Sequence, residues 1–405
     1  MRKIIILIIA CFIGSFSHAQ QLEELIQVAL KNNPEIQRFE SIYKSALEKK
    51  NEVNSLANTE FGLGYFASEP ETRTGAQRFK VSVKQMIPWF GSITTRENYV
   101  SSMADAKYED IAIAKRKLIA SVSQGYYSVY AIRAKQKVLQ RNIALLKTYE
   151  TMALTSVETG KASAVDVLKL QMRQHDLEQL MQILERQFIS EQTSINKLLN
   201  RQKGIPVEAI DSLEIPKSLE NIPTDELSLH PELIKYDKLY KSIEQSELLN
   251  QKEQKPMIGF GLDYVAVSER PNMSFSDNGK DIVMPMVSLS IPIFSKKYSS
   301  KTKQNQFKQE ELLFDKQVRK NRLETLLDRA INQRVSAKIS FDTNAKNLGK
   351  AKSAEEILIK NYEAGTINFN DVLDIQELQL KFQMNQVEAI KSFYVQSTIV
   401  NYLTN

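Results

Sequence analysis

Cysteine is almost missing from this 405-residue chain, Cys11 being the only one, so no intramolecular disulfide can form and cysteine-based zinc sites are excluded. Histidine is nearly as scarce: His175 and His230 stand far apart behind His18, a pattern that holds no metal. No apolar run of spanning length follows the first twenty residues. Any passage through a membrane would therefore be made by strands closed into a barrel. Serine, histidine and carboxylate do not meet in a nucleophile motif, and no glycine loop suited to cradling phosphate occurs, so the chain reads as a non-enzyme without cofactors. Proline is absent between Pro88 and Pro206 and again after Pro292, and glycine within those stretches is nearly confined to positions 91, 125, 160, 204, 349 and 365. Such stretches can run as uninterrupted helix.

The first residues are a different matter. Arg2 and Lys3 precede an apolar run from Ile4 to Phe16 that ends in Ser17-His18-Ala19, a small-x-small pattern that predicts a cleaved secretory leader over 1–19. A retained membrane helix and a lipoprotein leader cut before Cys11 are the rival readings; the run is short for the first, and cutting at Cys11 exposes further apolar residues. Loss of Arg2 and Lys3 brings the net charge from +6 to about +4, thinly spread, which is no nucleic-acid footprint.

The mature chain aligns with itself. Asn33-Pro34-Glu35-Ile36 returns as His230-Pro231-Glu232-Leu233, and Phe61-Gly62-Leu63-Gly64-Tyr65 as Phe260-Gly261-Leu262-Asp263-Tyr264. Ile87-Pro88-x-Phe90 returns as Ile291-Pro292-x-Phe294, and Gly160, Asp166-Val167-Leu168 and Gln171 as Gly365, Asp371-Val372-Leu373 and Gln376. Four landmarks in one order predict a duplication: a first repeat over 20–200, a linker over 201–228 with Pro206, Pro216 and Pro223, and a second repeat over 229–405.

Each repeat reads as a shorter helix, two strands, a very long helix and a returning helix. The strands are expected at about 60–67, 78–87, 257–267 and 282–291. Phe79, Val81, Val83 and Ile87 alternate with Lys80, Ser82 and Lys84, which gives one apolar and one polar face; a soluble patch packed on helices has the same period. The first long helix, 92–158, carries apolar residues at a seven-residue spacing from Ile111 through Leu118 and Ile132 to Leu146, a coiled-coil seam. At 1.5 Å per residue it is a rod of roughly 100 Å. The helices before the strands (about 31–57) and after Gly160 (about 162–199) together match that length, and the second half repeats the arithmetic with 231–255 and 367–403 beside 296–362. The fold class is therefore α+β, internally duplicated, with four long-helix columns and four strands. Four strands cannot close a barrel alone, so the chain is expected to oligomerise: dimers give eight strands, trimers twelve.

Two segments carry a family resemblance. Tyr362-x-x-Gly365-x-x-x-x-x-Asp371-Val372-Leu373-Asp374 resembles the helix-turn-helix at the periplasmic tip of TolC-like outer-membrane efflux proteins, and Gln85-x-Ile87-Pro88-Trp89-Phe90-Gly91 resembles their strand-to-helix crossover. The resemblance covers nearly the whole mature chain. It implies a homotrimer with a twelve-stranded transmembrane barrel above a twelve-helix tunnel, sited in the bacterial outer membrane with a long periplasmic extension. It also implies a periplasmic adaptor and an inner-membrane pump as partners, contact with outer-membrane lipid, and a passive role in efflux or type I secretion. A periplasmic coiled-coil adaptor is the alternative, which the duplicated strand hairpins disfavour.

Candidate functional residues follow. Asp371 and Asp374 share a helix face and in a trimer would form two carboxylate rings at the entrance, which favour cations; the competing reading is capping, since Asn368-x-x-Asp371 resembles a capping box. The resemblance favours the rings. Asp166 is the first-repeat equivalent, after Ser163, and Tyr362 and Asp166 match family positions that hold the tip shut. The family's locking arginine is Ile367 here. Gly160 and Gly365 are read as tip turns and adaptor contacts, and Trp89, Phe90 and Phe294 as membrane-interface aromatics. Met273, Met284 and Met286 near the second hairpin are set down to packing or lumen-facing positions rather than soft-metal ligands, and no metal site is expected.

Overall fold

The computed structural model describes residues 19–160, 163–219, 225–367 and 369–404. The predicted leader up to residue 18, with Cys11, lies outside them, as do Pro223 and Asn368. The chain divides into two compact units: one holds the residues up to Arg38, Ile111–His230 and those from Lys320 onward; the other holds Phe39–Asp110 and Pro231–Arg319. No described helix is long and apolar enough to cross a membrane.

The elements follow one another as α1 (Ala19–Asn32), α2 (Pro34–Val53), β1 (Glu60–Tyr65), β2 (Glu71–Thr72), β3 (Gly75–Ile87), α3 (Ser92–Glu158), α4 (Ala164–Leu198), a short 3-10 turn (Asp225–Leu229), α5 (Pro231–Glu253), β4 (Met257–Ser268), β5 (Ile282–Ser290), α6 (Lys297–Glu363) and α7 (Phe369–Thr404). Helix, hairpin, long helix and returning helix thus occur twice, and α3 and α6 are 67 residues each. One difference from expectation lies at the front. The helix predicted over about 31–57 runs from Pro34 to Val53, and an unpredicted helix, α1, precedes it; the two part at Asn33, because Pro34 has no amide to continue α1. Asn33 seals the break: its Oδ1 accepts the Glu35 N–H at 2.9 Å, and its Nδ2 donates to the Leu198 carbonyl at 2.8 Å.

In the unit that holds the strands, β1, β3, β4 and β5 form an antiparallel sheet in that order, with β2 a short flap on β3. Phe61, Leu63 and Tyr65 lie opposite Val83, Val81 and Phe79; Val83 and Val81 oppose Leu262 and Tyr264; and Phe260, Leu262 and Tyr264 oppose Val287, Pro285 and Val283. Because alternate residues share a face, these join into one apolar surface. It is exposed, Leu63 at 86% and Val287 at 75%. The other face carries Gly62, Ser82, Lys80, Lys84, Gly259, Gly261, Asp263 and Ser288. Its neighbours confirm the alternation: Lys80 pairs with Asp263, and a side chain placed on Gly62 would meet Ser82. β1 and β5 end the order, so each leaves an unpaired edge within one chain.

In the helical unit the seam residues of α3 are buried, among them Leu118, Val122, Val129, Leu139 and Leu146, and so are Leu170, Leu177, Leu184 and Ile195 of α4. Gly125 sits in that seam because Ile195 crosses it: a Cβ there would come within 2.9 Å of the Ile195 side chain. The segment after α4 is pinned to the helices rather than hanging free. The Tyr126 and Tyr130 hydroxyls accept the Ile210 and Leu213 N–H groups at 3.1 and 3.2 Å, and Tyr394 donates to the Glu214 carbonyl at 2.8 Å. Ile215 joins Tyr130, Ala337, Val387, Ile390 and Phe393 in a buried cluster beneath it.

Candidate functional site

The two helix-turn-helix ends stand in the helical unit. Gly160 and Gly365 have φ of +70° and +74°, the left-handed conformation that a helix C-terminus needs to reverse and that only glycine adopts without strain. In each case the glycine N–H returns to a carbonyl of the long helix, Val157 at 3.0 Å and Tyr362 at 2.9 Å. Ser163 caps α4 by accepting the Val165 N–H at 3.2 Å.

The equivalent aspartates differ in their surroundings. Asp166 is buried in the first turn of α4, whereas Asp371 and Asp374, in the first two turns of α7, are both exposed and form no ion pair among the described residues. Their charges are therefore free to act on the solvent beside them. Tyr362 is only 7% exposed, its ring meets Phe369 edge-on at 4.8 Å, and Phe369 meets Tyr149 edge-on at 5.7 Å. The Tyr362 hydroxyl has no hydrogen-bond partner among the described residues. An open groove of about 570 Å³ lies beside it, walled by Thr151 and Thr155 of α3, by Thr159 just beyond its end and by Glu363.

Polar side chains bind the two repeats together just behind these turns. The Tyr149 hydroxyl donates to Glu355 Oε1 at 2.6 Å, and Gln379 Nε2 donates to Glu355 Oε2 at 2.8 Å. Burial, reinforced by the Glu355 carboxylate, pushes the Tyr149 hydroxyl's pKa up, which keeps it a protonated donor. Lys169 donates to Asn370 at 2.7 Å, Arg173 stands 3.5 Å from Glu377, and Gln376, fully buried, donates to Asn142 Oδ1 at 2.8 Å. Within the first repeat, Gln171 and Gln174 donate to the two oxygens of Glu150 at 2.7 and 2.9 Å and hold that carboxyl below the usual range. The glutamates and glutamines recur at one offset: Glu150 with Glu355, Gln171 with Gln376, Gln174 with Gln379. Gln171 and Gln376 entered the sequence reading only as repeat landmarks; Glu150, Glu355, Gln174 and Gln379 escaped it, although that offset was a signal for them.

In the other unit, Trp89, Phe90 and Phe294 occupy the two strand-to-helix crossovers. Phe294 is 99% exposed, Phe90 is exposed beside half-buried Trp89, and the two rings of that pair stand 6.0 Å apart. Gly91, with φ +79°, turns the chain there, and the Ser92 N–H closes on the Trp89 carbonyl at 3.0 Å.

A duplicated helix-hairpin-helix chain whose open four-stranded sheet bears one exposed apolar face has the fold of bacterial outer-membrane channels. It superposes on CusC, a protein that forms a transmembrane channel, with a TM-score of 0.78 and 13% identity over 95% of this chain and 92% of that one. The outer-membrane channel OprN gives 0.77 and 14% over 95% and 89%, and the outer-membrane protein VceC of Vibrio cholerae 0.73 and 13% over 95% and 96%. No protein-family model matches the chain. No curated protein matches it either. At such identities it is the fold that these proteins share.

Proposed function

We propose that the chain is one subunit of an outer-membrane duct of the TolC-like kind, the passive exit channel of a tripartite efflux or type I secretion system. The observation that carries this reading is the sheet: an exposed apolar face continuous across four strands, with a free edge on β1 and another on β5. Unpaired strand edges do not exist in lipid, so copies must join edge to edge, and three copies give twelve strands. Trp89, Phe90 and Phe294 then lie at the membrane-water boundary where the strands leave the lipid. The repeats 20–200 and 229–405 each supply one hairpin to the barrel, the linker 201–228 lies on the outside of the tunnel, and 1–19 is removed on export. No catalysis is required of a duct. A periplasmic adaptor would meet the turns at Gly160 and Gly365, and the adaptor in turn would engage an inner-membrane pump. The purified mature protein should require detergent, migrate as a trimer and conduct ions in planar bilayers; a detergent-free monomer would overturn the reading.

The turn ends form the periplasmic entrance on this reading. Ile367 supplies no locking charge, so the closing contacts fall to Tyr149–Glu355, Lys169–Asn370, Arg173–Glu377 and the Tyr362–Phe369–Tyr149 ring stack. The exposed Asp371 and Asp374 make two rings of three carboxylates across a narrow mouth, where their field acts on every passing ion. Asp371→Ala with Asp374→Ala should lower cation over anion selectivity, measured as a shift of reversal potential in a salt gradient. Unchanged selectivity would return both residues to a capping role.

A further inference from the structure

A second cavity lies in the helical unit, far along α3 from the Gly160 turn. It has a volume of about 350 Å³ and is framed by three helices: α1 brings Leu22 and Ile26, α3 brings Arg116, Ser123 and Tyr127, and α7 brings Tyr402. The α3 residues stand at helical spacing, with Ile119 and Ala120 between them on the same face. Arg116 is the anomaly among them. A guanidinium carries five N–H groups, and this one donates to the Tyr402 carbonyl at 3.4 Å, in the last turn of α7. Capping that helix end accounts for the contact. It leaves the rest of the guanidinium without a partner among the described residues.

Other arginines between these helices are matched by carboxylates: Arg133 by Glu185 at 3.0 Å and Arg173 by Glu377 at 3.5 Å. Arg116 is not. Burial pulls its pKa down, and among the described residues only Tyr402 acts against that, with no carboxylate near enough to contribute. A half-buried cation without a counter-charge is costly, and an anion brought into the cavity relieves the cost. The remaining lining sets the chemistry of that anion. No acidic side chain and no second cation lines the cavity among the described residues, so one negative charge is matched and two are not. Buried Ser123 adds a hydroxyl, and burial beside Tyr394 and Tyr126 pushes the Tyr127 hydroxyl up to about 12, which keeps it a protonated donor. Two tyrosine rings supply flat apolar surface and are themselves held by rings: Tyr127 stacks on Tyr394 at 5.0 Å, and Tyr402 meets fully buried His230 edge-on at 5.1 Å. Leu22, Ile26 and Ile119 complete an apolar wall.

We propose that this cavity is a binding site for a small aromatic carboxylate, its carboxyl group held by Arg116 and its ring system laid against Tyr127, Tyr402 and the apolar residues of α1. A guanidinium matches a carboxylate through two parallel N–H groups, and the volume is that of a compact small-molecule site. A bound ligand clasps α1 to α3 and α7, so it stabilises the helical unit where the first and last helices of the chain meet. The site lies wholly within that unit and does not depend on the duct reading.

2-Naphthoate titrated calorimetrically into the full-length protein, in a non-ionic detergent, tests the site directly. One saturable site per chain is expected, together with a rise in melting temperature on saturation. Arg116→Gln should weaken binding by about tenfold or more, and the neutral 2-naphthalenemethanol should bind the wild type more weakly by a similar factor. Lys115→Gln, which removes an exposed cation one residue away, should leave binding unchanged. If Arg116→Gln does not fold, Ala120→Leu keeps the charge, fills the cavity and should also weaken binding. No saturable binding to the wild type, or binding that survives both the arginine and the alanine substitution, overturns the proposal. Decanoate that binds more tightly than 2-naphthoate would overturn the aromatic assignment and hand the cavity to an acyl chain.

Discussion

Phe369→Ala is expected to destabilise the turn end of the helical hairpins by about 3–5 kcal/mol and, on the proposed duct reading, to raise single-channel conductance several-fold. Phe369 is 1% exposed at the first residue of α7 and is wedged between Tyr362 of α6 and Tyr149 of α3. It is thus the one side chain in the stack that belongs to the returning helix of the second repeat while touching both long helices. Truncation opens a cavity between three helices whose ends are held by only two glycine turns and a few polar contacts. The buried Tyr362 ring, whose hydroxyl lacks a partner among the described residues, loses its packing and turns toward the adjacent groove. Amide exchange should speed up over 355–376 while the α3–α4 seam around Leu139 and Leu170 stays protected. Phe369→Leu, which fills most of the volume, should recover the wild-type conductance. A channel that conducts as before in Phe369→Ala would assign the closed state to the polar contacts alone.

Much of this was legible in the sequence, and the reasons are local. The span Ser92–Glu158 was readable end to end because the missing prolines and the seven-residue spacing from Ile111 to Leu146 both act within one helix. The hairpins were readable because alternation needs only neighbours; the strand ends shifted by a few residues, β3 starting at Gly75 rather than Arg78. The helix Ala19–Asn32 went unread, because the expected helix ahead of the strands begins near residue 31 and nothing is assigned before it. What could not be read were contacts between residues that only the fold brings together. Tyr149 reaches Glu355, and Tyr126 and Tyr130 catch the backbone at Ile210 and Leu213, in a segment whose prolines marked it merely as a linker. Asp166 and Asp371 have the same spacing after their glycines, yet one is buried and the other exposed, because burial is decided by the neighbouring helices and not by the cap. Strand register across the hairpins was equally out of reach, since it pairs Met86 with Gly259 of the other repeat.

Gly75→Ala is expected to abolish assembly of the proposed trimer, although it adds a single methyl group. Gly75 opens β3 with φ +135°, where any L side chain is strained, and a Cβ there would overlap the Ser268 carbonyl oxygen at the end of β4. The conformational term alone costs about 1–3 kcal/mol. The clash is worse, because its partner is backbone and cannot rotate away: β3 and β4 must part at the Ala76–Ser268 pair, the joint between the two hairpins. That joint also anchors the loops. Arg73 pairs with Asp277 at 2.6 Å, Arg270 with Glu71 at 3.1 Å, and the Gly279 N–H reaches the Thr74 carbonyl at 2.7 Å. Splaying it tilts β1 relative to β5, the two edges that the proposed barrel joins between copies. A local insertion of one methyl group is thereby converted into loss of assembly, read as disappearance of the trimer band in unheated gels. Gly349→Ala is the control, since Gly349 lies inside α6 with nothing within 4 Å of an added Cβ. There the same methyl group removes backbone freedom from the unfolded chain and should stabilise by about 0.5–1 kcal/mol, so opposite outcomes at the two glycines would trace the assembly defect to the β3–β4 joint.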